Sequence, residues 1–216
     1  MTSTNNPKFI NYRDRRLNKD VALRALVDFT QCLEEAGCTW WLSDGTLLGA
    51  VREADFISHD YDIDIGVMAD TFTPHAINLL IKNGFNVEHI LGSREAGLKF
   101  IIQRDDTHFD LFLYYARGDT LYCSCYKPLL QYVSARRIDF EYPMFTKMVK
   151  YNLLGHQFYV PKNPEHHLEM QYGKDWRTPN PNWHWETDSL NKVETKIIVN
   201  PAKDRIIVLK WLLQQQ

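Results

Sequence analysis

Two neighbouring stretches of the chain decide its fold: WWLSDGTLLGAVR over residues 40–52 and DYDIDI over residues 60–65. The first stretch predicts a short buried strand that turns at Gly45-Thr46 into a helix carrying Arg52. The second predicts a strand with an acidic residue at every other position. Because successive side chains of a strand point to opposite faces, the three aspartates share one face and the apolar residues share the other.

The acidic face of this strand predicts a divalent cation. Neighbouring positions on one face of a strand lie roughly 6.6 Å apart. Two carboxylates among Asp60, Asp62 and Asp64 can therefore bind one hard cation. A row of like charges does not stabilise a strand by itself, so an ion is the natural explanation.

A further aspartate lies alone in a later apolar run, HFDLFLY over residues 108–114. Burying a carboxylate in such a strand is costly unless it is paired or bound to a cation. Asp110 is therefore the candidate for a third metal ligand. The Asp-x-Asp pattern alone also marks nucleotide-sugar glycosyltransferases, but those enzymes need a nucleotide-binding α/β half before it, for which the segment ahead of residue 60 has no room.

Length and charge indicate one ordinary globular domain. The 216 residues are 44% hydrophobic, enough for a sizeable core, and we predict a single domain over 1–216 with its motifs within about 38–181. With 25 basic and 27 acidic residues, the net charge of −2 gives no general attraction to nucleic acid. Residues 1–7 resemble no secretory signal, and we expect no transmembrane segment and a cytoplasmic location.

The four cysteines, Cys32, Cys38, Cys123 and Cys125, are interpreted as buried reduced thiols. Cys123 and Cys125 form a possible half of a zinc site, but the usual partner pair is missing. Free thiols fit a reducing compartment.

The order of helical and extended patterns predicts an α+β fold with a mixed β-sheet flanked by helices. Helices are predicted at 17–36, from 45 onward, at 73–81, 164–172 and 203–213, and strands at 38–42, 61–67, 85–90, 98–103, 108–115, 121–126, 148–153 and 157–160. The two prolines and the aromatic cluster of 176–185 predict an irregular loop.

Together these motifs resemble the LicD family of the nucleotidyltransferase superfamily. The resemblance spans about residues 40–181 and rests on GTLLGAVR (45–52), FI (56–57), DYDID (60–64), HFD (108–110), VP (160–161) and YGKDW (172–176). His59 stands where the family usually carries tryptophan, so the contact at that position differs. The resemblance implies a nucleotidyltransferase-like sheet.

The resemblance also implies an activity. LicD proteins transfer a phosphorylated alcohol, such as phosphocholine, ribitol phosphate or glycerol phosphate, from a CDP-activated donor to a sugar or glycan hydroxyl and release CMP. Such chemistry depends on neutralising phosphate charge and on in-line positioning. We expect Mg²⁺ or Mn²⁺ to be held by Asp62, Asp64 and Asp110, and we assign Asp110 the acceptor's proton.

Five further residues receive supporting roles. The amide groups of Gly45 and Thr46, at a helix start, are expected to hold a phosphate oxygen. Arg52 is expected to clamp a phosphate, with a surface ion pair as the alternative. Lys99 either faces the donor or points to water, and Asp60 is expected to support the metal ligands rather than to bind the ion directly.

The tryptophans divide into two groups. Trp40 and Trp41 are predicted to lie in the core. For Trp176, Trp183 and Trp185, stacking on a sugar or base and packing on their own domain are equally good interpretations.

The late histidines and the last helix receive structural interpretations. His166 and His167, near a helix start, are assigned surface or capping roles rather than metal binding. The apolar stripe of the last helix is expected in the core, with a membrane surface or a partner as the alternative. That stripe comprises Ile206, Ile207, Leu209, Leu212 and Leu213.

Other functions remain open. A nucleotidyltransferase that moves a nucleotide from a triphosphate to a small molecule, protein or RNA would use the same residues, although the chain lacks a basic stripe for a large nucleic acid. An inactive nucleotide-binding module is expected to lack a metal ligand, and all three candidates are present.

Overall fold

The structure, a computed structural model, describes residues 16–129, 134–145 and 147–213. It confirms an α+β fold of the nucleotidyltransferase type, in which helices flank a mixed sheet. The described elements are α1 (Lys19–Glu35), β1 (Trp40–Leu42), α2 (Asp44–Glu53), β2 (Asp62–Met68), α3 (Pro74–Lys82), β3 (Asn86–Ser93), β4 (Ala96–Arg104), β5 (Thr107–Arg117), β6 (Thr120–Leu129), β7 (Ser134–Pro143), β8 (Met148–Leu153), β9 (His156–Pro161), α4 (Pro164–Tyr172), α5 (Trp185–Asp188), β10 (Lys192–Val199) and α6 (Pro201–Leu213).

The main sheet is organised around β5. Strand β2 runs parallel to β5 on one side, and β4 runs antiparallel on the other. Strand β1 extends the sheet beyond β2, and β3 pairs with β4. The far end of β5 pairs with β6, which continues the sheet through β7 to β10, whereas β8 and β9 form a separate two-stranded ribbon. The parallel pair β2–β5 carries all three predicted metal ligands.

Adjacent residues of β1 help to fill two different cores, because a strand points its side chains alternately to opposite faces. Trp40 is 3% exposed and belongs to the larger cluster, which the helices cover. Phe29 of α1 stacks there on Phe109 of β5 at 4.5 Å. Trp41 is fully buried in a second cluster with Tyr114. The predicted core position of both tryptophans is confirmed.

Strands β7 and β10 and the short helix α5 were not predicted from the sequence. Strand β7 carries a buried ion pair between Arg137 and Asp139, with nitrogen and oxygen 2.7 Å apart, and Ser124 on β6 donates to the same carboxylate. Such charged positions interrupt the alternation of polar and apolar residues that marks a strand. Strand β10 is largely exposed at the sheet edge, so its pattern is equally weak.

The predicted core role of the α6 stripe is wrong for most of its members. Four stripe residues are 39% to 64% exposed: Ile206, Ile207, Leu209 and Leu213. Only Leu212 of the stripe is buried, together with Val208, which the stripe did not include. The helix lies against β3 and α3 at the sheet margin and buries one narrow side.

The four cysteines are free thiols in this structure, and burial is confirmed for three of them, whereas Cys125 is only half-buried. Burial raises the pKa of the Cys38 thiol to about 11, so it is protonated at neutral pH. None of the described helices is both long and apolar enough to cross a membrane. Residues 1–7, on which the signal-peptide prediction depends, lie outside the described residues, and the cytoplasmic location and the single-domain assignment stay predictions.

Candidate metal centre and adjoining pocket

Three carboxylates meet on the parallel strands β2 and β5. Asp64 lies directly opposite Asp110 in the strand register, and Asp62 is two residues earlier on the same face. One carboxylate oxygen from each of the three lies within 4.8 Å of the others. Asp64 is 8% exposed, and Asp62 and Asp110 are half-buried. The structure thus brings together all three predicted ligands.

The cluster is electrostatically unfavourable by itself. Burial, followed by the charges of Asp64, Asp60 and Asp110, raises the pKa of Asp62 well above its ordinary value. Burial and the charges of Asp44 and Asp110 do the same to the pKa of Asp64. A cation among these oxygens would offset both effects.

The donor set fits a hard divalent ion. All three side chains offer carboxylate oxygens, which Mg²⁺ and Mn²⁺ prefer to softer nitrogen or sulfur ligands. Two ligands on opposite sides of a Mg²⁺ ion lie about 4.2 Å apart, since each Mg–O bond is about 2.1 Å. Oxygens that all lie within 4.8 Å of one another are therefore close enough to share one ion.

Lys99 of β4 faces this cluster. Its ammonium group lies 2.5 Å from the Asp110 carboxylate and 4.3 Å from the centroid of the Phe112 ring. Burial lowers the pKa of Lys99, but the charge and hydrogen bond of Asp110, together with the charges of Cys125 and Asp64, outweigh that effect and the net shift is upward. Lys99 is therefore a permanent positive charge beside the metal site, and the alternative that it points to water is excluded. Its contact with a donor stays a prediction.

The turn into α2 holds one metal ligand in place. The Gly45 amide donates to Asp64 Oδ2 at 2.9 Å, and the Asp64 amide donates to Thr46 Oγ1 at 2.8 Å. The Ser43 amide also donates to the Asp64 carbonyl at 3.1 Å. The glycine amide assigned to a phosphate thus binds a carboxylate in this structure, and the phosphate role of Gly45 and Thr46 stays a prediction.

Asp44, which sequence reasoning did not single out, fixes this turn to the rest of the fold. Its φ of +41° lies in the left-handed region, which aspartate tolerates better than most residues. Its Oδ1 accepts hydrogen bonds from Gln171 of α4 at 2.6 Å and from Tyr142 of β7 at 3.2 Å. The only local signal was the Asp-Gly pair at a turn, since both partners lie about a hundred residues away.

Asp60 lies just before β2 and adjoins the three-carboxylate cluster without belonging to it. Burial raises its pKa, and a hydrogen bond with Asp62 partly opposes that shift. A Cβ added at Gly45 would lie 2.8 Å from Asp60 Oδ2 and 3.1 Å from Asp64 Oδ2. Only a glycine at position 45 lets both carboxylates approach the turn so closely.

We expect Gly45→Ala to weaken Mn²⁺ binding by about 10- to 100-fold, as for changes that displace the groups supporting a metal ligand. The added methyl group would push the Asp60 and Asp64 carboxylates away from their present positions. Calorimetric titration with Mn²⁺ measures the effect. Gly118→Ala is the control, because nothing lies within 4 Å of its added Cβ. Equal affinity in Gly45→Ala and the parent would contradict this account of the turn.

A pocket of about 330 Å³ opens beside the metal centre, within the size range of small-molecule sites. Gly45 and Arg52 of α2 and Asp60 line one side. Trp176 and Trp183 of the loop after α4 line the other. The pocket is therefore lined both by aromatic residues and by residues next to the candidate metal site.

The irregular loop predicted at 176–185 is confirmed over 176–184, but the short helix α5 begins at its last residue, Trp185. Trp183 packs on Tyr172 with ring centroids 4.6 Å apart, and both line the pocket. Trp185 instead packs on Phe140 at 6.1 Å, so it contacts its own domain. Trp176 is 5% exposed and packs in the main core, so stacking on a ligand stays open for Trp183.

Arg52 forms the ion pair that was one of the two alternatives considered for it. Its Nε and Nη2 donate to Glu53 Oε1 at 2.9 and 2.6 Å, so the two neighbouring side chains form an ion pair. Its Nη1 lies 3.4 Å from the Trp176 carbonyl oxygen, and its side chain lines the pocket. To contact a phosphate, the Arg52 guanidinium would have to give up some of its hydrogen bonds to Glu53 or bind both groups at once. The phosphate role of Arg52 stays a prediction.

The surface role predicted for His167 is wrong, whereas His166 is exposed as expected. The His167 ring is 2% exposed and stacks on Tyr142 at 4.2 Å with 12° between the planes. Helix α4 turns this residue inward beside Leu168. Burial lowers the pKa of His167 to about 3, so the ring is neutral at pH 7.

Acid is expected to destabilise the protein through His167. Because the folded pKa of about 3 lies below the unfolded value of about 6.5, the stabilising effect is present above pH 6.5 and is lost as pH falls towards 3. Between pH 7 and 5 the parent should lose about 2 kcal/mol more unfolding free energy than His167→Phe. Urea unfolding in a phosphate-free buffer measures the difference, and parallel losses in both proteins would contradict it.

Comparison with known proteins identifies relatives of the chain. Residues 37–163, more than half of it, match the family model described as LicD/FKTN/FKRP, nucleotidyltransferase domain. Ribitol-5-phosphate transferase FKTN of Mus musculus is 27% identical over 160 residues, covering 74% of this chain and 34% of that protein. Ribitol 5-phosphate transferase FKRP of Homo sapiens is 27% identical over 176 residues, covering 74% and 33%. The chain spans about a third of the length of these curated relatives.

Proposed function

The chain belongs to the LicD/FKTN/FKRP family, and we propose that it is a metal-dependent phosphotransferase that moves a phosphorylated alcohol from a CDP-activated donor to a sugar or glycan hydroxyl. The observation that carries the proposal is the meeting of Asp62, Asp64 and Asp110 within 4.8 Å beside a pocket. Among phosphocholine, glycerol phosphate and ribitol phosphate, the names of the relatives favour ribitol phosphate.

In the proposed reaction, an acceptor hydroxyl oxygen attacks the phosphorus that carries the alcohol. A new P–O bond forms there, and the bond from that phosphorus to the bridging oxygen breaks, so CMP leaves with this oxygen. Mg²⁺ or Mn²⁺ bound by the three aspartates would neutralise charge on the diphosphate. Asp110 is the candidate to accept the hydroxyl proton, and Lys99, 2.5 Å away, orients its carboxylate.

The pocket supplies the remaining parts of a donor site. The guanidinium of Arg52 lies in its wall and offers hydrogen-bond donors to a phosphate. The rings of Tyr172 and Trp183 offer apolar faces on which a base or a sugar can stack.

A panel of donors tests the proposal. The protein is incubated with Mg²⁺, a mixture of sugar acceptors, and CDP-ribitol, CDP-glycerol, CDP-choline or nucleoside triphosphates. Release of CMP from a CDP-alcohol supports the proposal. Release of diphosphate from a triphosphate would instead identify a nucleotidyltransferase, and tight binding without turnover of any donor would identify an inactive nucleotide-binding module.

Donor binding provides a second measurement that needs no acceptor. Calorimetry with each CDP-alcohol in the presence of Mg²⁺ compares the parent with Asp62→Asn. We expect weaker binding in the variant, because the ion that links the donor diphosphate to the protein loses a ligand. Equal donor affinity in the two proteins would contradict the assigned metal site.

A further inference from the structure

A second cavity of about 340 Å³ lies where the β8–β9 ribbon meets the start of α4. It shares no lining residue with the pocket beside the metal centre. Its lining includes the apolar residues Pro143, Met144 and Phe145 and the basic residues Lys147 and Lys162. No carboxylate is among the described residues that line it.

Two lysines flank the mouth of this cavity. Met148 and Pro161 are paired residues at the open end of the ribbon, so Lys147 and Lys162 lie just beyond them on opposing chains. The Lys162 amide donates to the Lys147 carbonyl at 3.1 Å, which fixes the two residues side by side. Both side chains are exposed, and neither forms an ion pair within the described residues. Their charges are therefore free to attract an anion.

The N-terminus of α4 adds positive electrostatic potential at the cavity. Pro164 occupies the first turn, and the Asn163 side chain caps no amide there. The first amides of a helix lack partners inside the helix and carry the positive end of its dipole. The acid in this turn, Glu165, is paired with Arg177 at 2.6 Å. Helix α4 thus favours negative charge at the cavity.

The buried imidazole of His167 is an independent observation that indicates a ligand. It lines the cavity, is 2% exposed, and neither ring nitrogen has a hydrogen-bond partner among the described residues. A neutral imidazole carries one N–H donor, and leaving such a donor unpaired when buried costs about 1–3 kcal/mol. Stacking against Tyr142 holds the ring in this position.

We propose that this cavity binds a phosphate monoester, with Lys147 and Lys162 neutralising its charge and the His167 ring and the α4 amides as donors. Its volume lies at the low end of the range for small-ligand pockets, which suits a phosphate with a small attached group. Gln171, one turn beyond His167 on α4, donates to Asp44 at 2.6 Å. An occupant would therefore lie one helical turn from the contact that supports the metal centre.

Calorimetry of the full chain in EDTA tests this site independently of the proposed transfer reaction. Inorganic phosphate and glucose 6-phosphate are titrated into the parent, the double variant Lys147→Gln/Lys162→Gln, and the control Lys82→Gln/Lys196→Gln. The control removes the same charge from exposed lysines elsewhere. We expect saturable binding in the parent and the control, and at least tenfold weaker binding in the cavity variant.

Sedimentation with phosphatidic acid vesicles distinguishes the source of the phosphate. Lysine-dependent binding to vesicles would support the site and identify a lipid headgroup, whereas lysine-dependent binding of the soluble probes alone would support it and identify a free ester. Absence of saturable binding to every probe overturns the proposal. Equal weakening in the cavity variant and the control overturns it as well, because only the net charge would then matter.

Discussion

Asp62→Asn is expected to lower the rate of CMP release from the preferred CDP-alcohol by at least about 1,000-fold. The substitution removes one of three carboxylates that meet within 4.8 Å. Charge neutralisation by a bound ion contributes several kcal/mol to such reactions, and about 4 kcal/mol corresponds to a factor of 1,000. Steady-state kinetics at saturating donor measures the loss, and Asp70→Asn, at an exposed position, is the control.

The same variant should be at least as stable as the parent without metal. Burial and the neighbouring carboxylates disfavour the ionised form of Asp62, and an amide avoids that penalty. In the parent, Mn²⁺ at 100 times its dissociation constant should add about 2.7 kcal/mol to the unfolding free energy. Asp62→Asn should lose most of this increment. A variant that is inactive because it is unfolded, or fully active when folded, would contradict the assignment.

Gly66→Ala is expected to reduce the unfolding free energy by about 3 kcal/mol, the upper part of the range for overpacked cores. Gly66 lies on β2 directly opposite Trp41. A Cβ at position 66 would lie 2.5 Å from Trp41 Cε2 and 2.6 Å from Nε1. The indole is wedged against Tyr114 and Phe145, with ring centroids 4.8 Å apart in both pairs, so it has little room to move.

Urea denaturation of the parent and two glycine variants isolates this effect. Gly37→Ala introduces a side chain at a φ of +74° with nothing within 4 Å, so it reports the conformational cost alone, about 1–2 kcal/mol. A Gly66→Ala loss no greater than that of Gly37→Ala would contradict the clash. Gly66 lies on β2 after Asp62 and Asp64, so a clash that displaces this strand should also move the candidate metal ligands. Mn²⁺ affinity should therefore be lower in Gly66→Ala than in the parent.

The carboxylates of the candidate metal site were predictable because the signal of each one is local. Alternation along β2 places Asp62 and Asp64 on one face, and an isolated acid within an apolar strand marks Asp110. The pairing of β2 with β5 is non-local, because α3, β3 and β4 lie between them, and it was expected only from the family resemblance. The turn at Gly45 was also readable, although its amide contacts Asp64 rather than being free for a phosphate.

Residues whose roles depend on distant partners were not predictable. Asp44 accepts hydrogen bonds from Tyr142 and Gln171. No sequence pattern around the Asp-Gly turn reveals these partners. His167 was assigned a surface or capping role because it lies near a helix start without a matching pair of metal ligands, and only the position of α4 against β7 buries it. The prediction that the apolar stripe of α6 lies in the core was wrong in the opposite direction, because most of the stripe is exposed. Periodicity does not say how much of a helix face the rest of the fold covers.

The parallel pairing of β2 with β5 has a consequence for the order in which the molecule assembles. Helix α3 and strands β3 and β4 separate the two halves of the ion site along the chain. During synthesis Asp62 and Asp64 emerge several seconds before Asp110 can join them. Under the proposed metal binding, a nascent chain cannot chelate the ion until this late, non-local strand has docked. Metal should then slow unfolding while leaving the folding rate almost unchanged, because it stabilises the folded protein and not the transition state for folding.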